Sequence, residues 1–178
     1  MNQKVLYLAH AAIIAALYVV LTEAAAYLGL ASSAIQVRFS EALTILPVFT
    51  SAAIPGLFAG CILANLLTGG MPLDVIFGSL ATLLGALGTY LLAHPISLRG
   101  ASSYVLKPWR KWLSPLPPIV SNTLIVPFVL AYVYHLEGTI PYFMVTVGIG
   151  EIISCGILGL FLLKMLERYR RYIFSNHP

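Results

Sequence analysis

The sequence predicts an all-α integral membrane protein, and three observations carry that reading. Sixty per cent of the 178 residues are hydrophobic and only 9% are charged. The mean hydropathy is +0.92, more apolar character than a soluble domain of this size can cover. The apolar residues form runs long enough to span a bilayer, and Lys and Arg stand beside those runs, where they set topology. The net charge of +4 therefore does not point to nucleic acid. One compact helical domain over residues 1–178 is the expectation.

The first span is expected over about 5–28, longer than the roughly 7–15 residue core of a signal peptide. Ala11, Ala12, Ala15 and Ala16 on it form small-xxx-small pairs, which let another helix approach closely. Glu23, near its outer end, either snorkels or belongs to a cavity. Residues 29–40 form a loop of small and polar residues ending in Arg38. The stretch 41–68 is too long for one straight span and is cut at Pro55-Gly56. Charge leaves open whether it is a hairpin of two short helices, 41–53 and 55–68, or a single crossing. A further span is expected over about 73–93, then a basic segment over 94–115 with Arg99, Lys107, Arg110, Lys111, Trp109 and Trp112. Basic residues beside interfacial tryptophans mark a cytoplasmic surface segment. Spans over about 116–135 and 141–166 follow, the last ending in Lys164, Arg168, Arg170 and Arg171. Both basic clusters fall on one side, so the C-terminus is expected in the cytoplasm.

The chemistry concentrates in 38–84, where Arg38, Glu41, Asn65 and Asp74 surround the breaks at Pro47, Pro55 and Gly69-Gly70. Polar groups beside broken helices are how membrane carriers build substrate sites, because freed backbone and side chains face a cavity. Arg38 and Glu41, three apart, serve a ligand or pair with each other. Asp74 contacts a ligand or favours the start of its own helix through the dipole. Glu151 lies roughly 15 Å below the outer end of its helix at about 1.5 Å per residue, near the midplane. A carboxylate there costs several kcal/mol unless paired, protonated or in a wet cavity. Gly148, Gly150 and Ser154 leave room beside it. Asn65 and Asn122 add amides, Asn122 nearer the cytoplasmic end. An outer cavity that is acidic with amide groups suits a small ligand rich in N–H donors, neutral or cationic. Phe39, Phe77, Tyr142 and Phe143 stack on such a ligand or are the aromatics expected at a membrane interface in any case. Cys61 and Cys155 read as buried packing residues, and their spacing gives no support for a disulfide or metal site. No P-loop is present, and His10, His94, His135 and His177 fall in no catalytic motif. The expected protein is not an enzyme and carries no cofactor. A stand-alone secondary carrier of a small amine or nucleobase is the rival reading, and an intramembrane enzyme a weaker one.

An ordered set of segments resembles the queuosine-precursor transporter (QueT-type) family, the substrate-binding (S) components of energy-coupling-factor (ECF) transporters. The matching pieces are Arg38-Phe39-Ser40-Glu41-Ala42-Leu43-Thr44 with Leu46-Pro47, Ala53-Ile54-Pro55-Gly56-Leu57-Phe58, and Ala64-Asn65-Leu66. Further on come Asp74 to Leu83, Pro115-Leu116-Pro117-Pro118 with Asn122, and Gly148 to Glu151. The resemblance implies six transmembrane helices in an S-component-like bundle, which favours the hairpin over 41–68. It implies a bacterial cell membrane with both termini cytoplasmic and a deazaguanine queuosine precursor as ligand. Arg38, Glu41, Asn65, Asp74, Asn122 and Glu151 are then the substrate-binding candidates. It also implies partners, namely a membrane-embedded coupling protein, docked on the alanine face of the first helix, and two ATPase subunits. Gly156, after Cys155, departs from the larger, often aromatic residue the family pattern leads one to expect.

Overall fold

The computed structural model describes residues 2–30, 36–94 and 108–173, and the regular structure among them is helical throughout. Among the described residues, four helical stretches are long and apolar enough to cross a membrane: Gln3–Tyr27, Pro72–Ala93, Trp109–Tyr132 and Ile140–Tyr169. Their outward faces carry large apolar side chains such as Leu8, Ile13, Ile76, Leu84, Leu124, Val145 and Ile157, all exposed. In water such a surface would be a liability; against lipid it is the expected exterior. The protein is an all-α membrane bundle.

Helix α1 (Gln3–Tyr27) starts on Asn2, whose side chain accepts the Lys4 N–H at 3.1 Å, and stops where Gly29 takes φ +72°. The segment expected as an α-helix over 41–53 is instead a 3₁₀ helix, Phe39–Val48. Pro47 has no N–H to donate and disfavours α winding before it, while Thr44 Oγ1 donates to the Glu41 carbonyl at 2.6 Å within one tight turn. The chain then turns through 49–52 into α2 (Ala53–Leu67), which ends at Gly69, φ +75°, with the Gly70 N–H donating to the Asn65 carbonyl at 2.7 Å. Helix α3 (Pro72–Ala93) opens with proline at its first position, where the missing N–H costs nothing. The short α4 (Pro108–Leu113) and α5 (Leu116–Tyr132) follow. The last span joins α6 (Ile140–Glu151), a π-helical segment (Ile152–Leu158) and α7 (Gly159–Ile173).

The ends of these segments sort onto two faces. Tyr7 on α1 donates to the Ser51 carbonyl at 3.4 Å, Thr89 to that of Ser114 at 2.9 Å, and Lys111 pairs with Glu167 at 2.5 Å. The start of α1, the 49–52 turn, the end of α3, α4 and α7 thus share one face. Thr22 donates to Ser40 at 2.8 Å and the Met71 N–H to the Tyr134 hydroxyl at 3.3 Å at the opposite face. The stretch 41–68 is therefore a hairpin, and six segments cross the bundle among the described residues. Lys4, Arg110, Lys111, Lys164 and Arg168 gather on the first face and Arg38 stands at the other. Arg99 and Lys107 lie outside the described residues, as do the side chains of Arg170 and Arg171.

Small residues set the closest contacts. A Cβ added at Gly56 would lie 2.7 Å from the Ala11 carbonyl oxygen, and one at Gly60 3.0 Å from the Ala15 Cα, so α1 and α2 touch backbone to backbone. The main core joins Ile14 and Tyr18 to Leu43, Leu46, Leu57 and Cys61, so the 3₁₀ helix runs through the interior between α1 and α2. Ile45 and Val48 pack with Leu163 toward the first face, and Leu130, Phe143 and Val147 toward the second.

Candidate functional site

Two irregular helices meet at the centre of the bundle. With three residues per turn, positions i and i+3 of a 3₁₀ helix eclipse, so Glu41, Thr44 and Pro47 stack on one ridge. That ridge faces the π-helical segment. Thr44 Oγ1 lies 3.4 Å from Cys155 Sγ, Cys155 Sγ lies 3.4 Å from the Glu41 carbonyl oxygen, and the Arg38 N–H donates to Ser154 Oγ at 3.1 Å. Gly150 packs against the Gln36 backbone where a Cβ would overlap the carbonyl oxygen. Segments of π-helix mark functional sites often, and this one places Ser154 and Cys155 together on the 3₁₀ helix immediately after Glu151.

Three buried carboxylates, each from a different element, gather around this junction. Tyr18 donates to Glu41 Oε1 and Asn122 Nδ2 to Glu41 Oε2 at 3.4 Å. Cys155 Sγ lies 3.1 Å from Glu151 Oε2 as its donor. Tyr134 donates to Asp74 Oδ2 at 2.7 Å. Burial, and then the hydrogen bond to Asp74, push the Tyr134 phenol above its usual range, so it stays a neutral donor in the loop after α5. Such donors offset part of the desolvation cost of carboxylates in a low-dielectric interior. Glu41, Glu151 and Cys155 bring one ligand atom each within 4.8 Å of one another, a proximity that residue spacing gave no reason to expect. The contacts present there are the hydrogen bonds just named.

The carboxylates line a two-part cavity. An outer chamber of about 480 Å³ opens at the face away from the basic cluster and is lined by Thr22, Asn65, Gly70, Tyr134 and Leu136 among others. An inner chamber, lined by Glu41, Thr82, Asn122, Val147 and Glu151, has only about 20 Å³ free, room for about one water molecule. Gln36, Arg38, Asp74 and Val126 line both, forming the neck. The outer chamber falls within the usual size of ligand pockets, about 300–1,000 Å³.

The structure thus brings Arg38, Glu41, Asp74, Asn122 and Glu151 to one cavity and leaves Asn65 in the outer chamber, its Nδ2 3.6 Å from Cys61 Sγ. Arg38 forms no ion pair among the described residues, so the pairing with Glu41 across one turn does not occur. Arg38 lines both chambers. Asn122 reaches the inner chamber even though it lies in the half of α5 nearer the basic face. The four aromatic candidates do not line either chamber: Phe77 and Tyr142 are exposed, Phe39 is half-buried and Phe143 is core. Glu23 is likewise on the outside. The alanines divide. Ala11 and Ala15 face α2, while Ala12 and Ala16 are exposed. Sequence reasoning missed Tyr18, Gln36, Thr82, Tyr134 and Cys155. Tyr18, a tyrosine amid aliphatics on the first span, carried a signal, since a buried hydroxyl needs a partner.

No curated protein and no solved structure matches the chain. The QueT transporter family model matches residues 8–168, nearly the whole length and every residue of the cavity just described, and on that match the chain belongs to the QueT transporter family.

Proposed function

We propose that this transporter is the substrate-specific (S) component of an ECF-type importer, taking a deazaguanine queuosine precursor from outside a bacterial cell. It passes the ligand on through a membrane coupling protein driven by two ATPase subunits, with both of its own termini cytoplasmic. The observation that supports this most is the cavity of Asp74, Glu41 and Glu151 opening opposite the basic face. Carboxylates accept the adjacent N–H donors of a guanine-like face, at about 1.5–3 kcal/mol per charged hydrogen bond. The exposed Ala12 and Ala16 on α1 give a coupling protein a smooth surface for close helix contact. Arg38 at the neck adds a donor for a carbonyl oxygen. The protein's part is to bind and release; no step of bond chemistry is assigned to it.

Two measurements test the reading. Mass spectrometry of the purified protein should find a deazaguanine bound. Proteoliposomes with this chain alone should bind but not accumulate the ligand, and adding the coupling protein and ATPases with ATP should restore uptake. Ion-gradient-driven uptake by the chain alone would overturn the proposal in favour of a secondary carrier.

A further inference from the structure

At the basic face, α4 and α7 form a surface that substrate binding leaves unused. Lys111 on α4 pairs with Glu167 on α7 at 2.5 Å, which sets the two helices side by side. Arg110 is spent within the fold: its Nη1 donates to the Leu92 carbonyl at 3.4 Å, and its guanidinium lies 5.1 Å from the centre of the Trp109 ring. Lys164 and Arg168 are exposed and have no ion pair or hydrogen bond among the described residues. At about 3.6 residues per turn they share one stripe of α7 with Phe161, which is 64% exposed, and the exposed Ile157 continues it a turn deeper. The stripe is thus basic at the membrane surface and apolar below. Trp109 and Trp112, both exposed on the neighbouring α4, mark the level of the headgroups there.

We infer that this stripe binds an anionic phospholipid, its phosphate between Lys164 and Arg168 and an acyl chain along Phe161 and Ile157. Charge complementarity selects the occupant. On α4 and α7, Arg110, Lys111, Lys164 and Arg168 stand against the single carboxylate Glu167 among the described residues. A phosphate accepts charge-assisted bonds from both free cations, and basic side chains next to a span draw in anionic lipid. A zwitterionic lipid brings a cation of its own, which this surplus repels. A soluble anion would use the basic end and leave the apolar turns uncovered, whereas a lipid matches the stripe along its whole length. None of these residues lines either chamber, so the bound lipid does not depend on which ligand the transporter carries.

The test is native mass spectrometry of the full chain in mild detergent, titrated with phosphatidylglycerol, phosphatidylcholine and glycerol phosphate. Phosphatidylglycerol should be retained more tightly than phosphatidylcholine, and glycerol phosphate at equal concentration should not displace it. Lys164→Gln or Arg168→Gln should weaken phosphatidylglycerol about fivefold, and the double variant about 30-fold, with phosphatidylcholine unchanged. Lys4→Gln removes a cation of the same face outside the stripe and should leave both lipids unaffected. Glu167→Gln leaves Lys111 unneutralised and should tighten phosphatidylglycerol by up to about fivefold. Equal retention of the two lipids, or an equal loss in Lys4→Gln, overturns the site. Displacement by glycerol phosphate replaces the lipid with a soluble anion and overturns it as well. Unchanged lipid retention in the double variant together with lost reconstituted uptake would give the stripe to a protein partner instead. Should the double variant lose cooperative thermal unfolding, Glu167→Gln carries the test alone, and unchanged or weaker phosphatidylglycerol binding there overturns the site.

Discussion

Tyr18→Phe isolates one hydroxyl at the centre of the bundle. Tyr18 is 1% exposed and Glu41 2%, so no bulk water replaces the lost donor, and the Asn122 contact at 3.4 Å is too long to compensate fully. A hydrogen bond to a charged group contributes about 1.5–3 kcal/mol net, and an unmet buried acceptor costs a similar amount. Phenylalanine fills nearly the same volume, so no cavity term adds to this. For a chain of this size each kcal/mol corresponds to about 2–4 °C in Tm, giving an expected drop of roughly 3–12 °C. Thermal unfolding in detergent, followed by circular dichroism, reads it directly. The partner variant Glu41→Gln still accepts from Tyr18 through its amide oxygen, and the effect of Tyr18→Phe should shrink to about 0.5–1.5 kcal/mol in that background. A Tm unchanged within 1 °C in the single variant, or equal effects in both backgrounds, would refute the claim that Tyr18 supports the Glu41 carboxylate.

Three further outcomes are expected. Ala12→Trp and Ala16→Trp, on the exposed side of α1, should abolish reconstituted uptake while calorimetric affinity stays unchanged; loss of binding as well would show that these alanines support the fold instead. Ala15→Trp should fail to fold, since α2 approaches it so closely that even a Cβ at Gly60 would lie 3.0 Å from its Cα, and a monodisperse variant on gel filtration with wild-type Tm would contradict that packing. The Tyr134 proton is held more tightly in the folded protein than in the unfolded chain. Its contribution is therefore fully present below the ordinary tyrosine range of about 10 and is lost as pH rises through the raised folded value. Tyr134→Phe should remove that alkaline component from the stability profile, and an identical profile in the variant would refute the coupling.

The membrane class and the position of most crossings were legible because lipid-facing helices must be apolar along their length. Glu151 and Asp74 stood out because a carboxylate inside an apolar run demands a compensating environment, whatever the fold. The form of the 39–48 segment was not legible. Its residues are good partners for an apolar interior, and only the surrounding helices decide that it winds as 3₁₀ instead of α. The same limit applies to Tyr134 and Asp74. They are 60 residues apart, and the contact exists only because α3 and α5 run antiparallel through Gly85 and Gly88 against Pro118 and Pro117. The aromatic residues were ambiguous for a related reason: interfacial position attracts them whether or not a ligand is near.

The 3₁₀ helix has a mechanical consequence. At about 2.0 Å per residue its ten residues span about 20 Å, where an α-helix of the same length would span about 15 Å. The segment is thus a stretched strut, about one α-helical turn longer than its relaxed alternative. Its lower end is anchored by Val48 against Leu163 and by the Tyr7 contact to Ser51. Rewinding as α-helix with the lower end held would draw Arg38 inward by about 5 Å and would break the Ser40 and Arg38 hydrogen bonds at the upper end. It would also rotate Glu41 and Thr44 off their common ridge, since four-residue spacing replaces three. The neck and the carboxylate wall of the cavity therefore hang on the pitch of one helix, and a change in that pitch would alter the depth of the neck and the direction of its charges in a single motion.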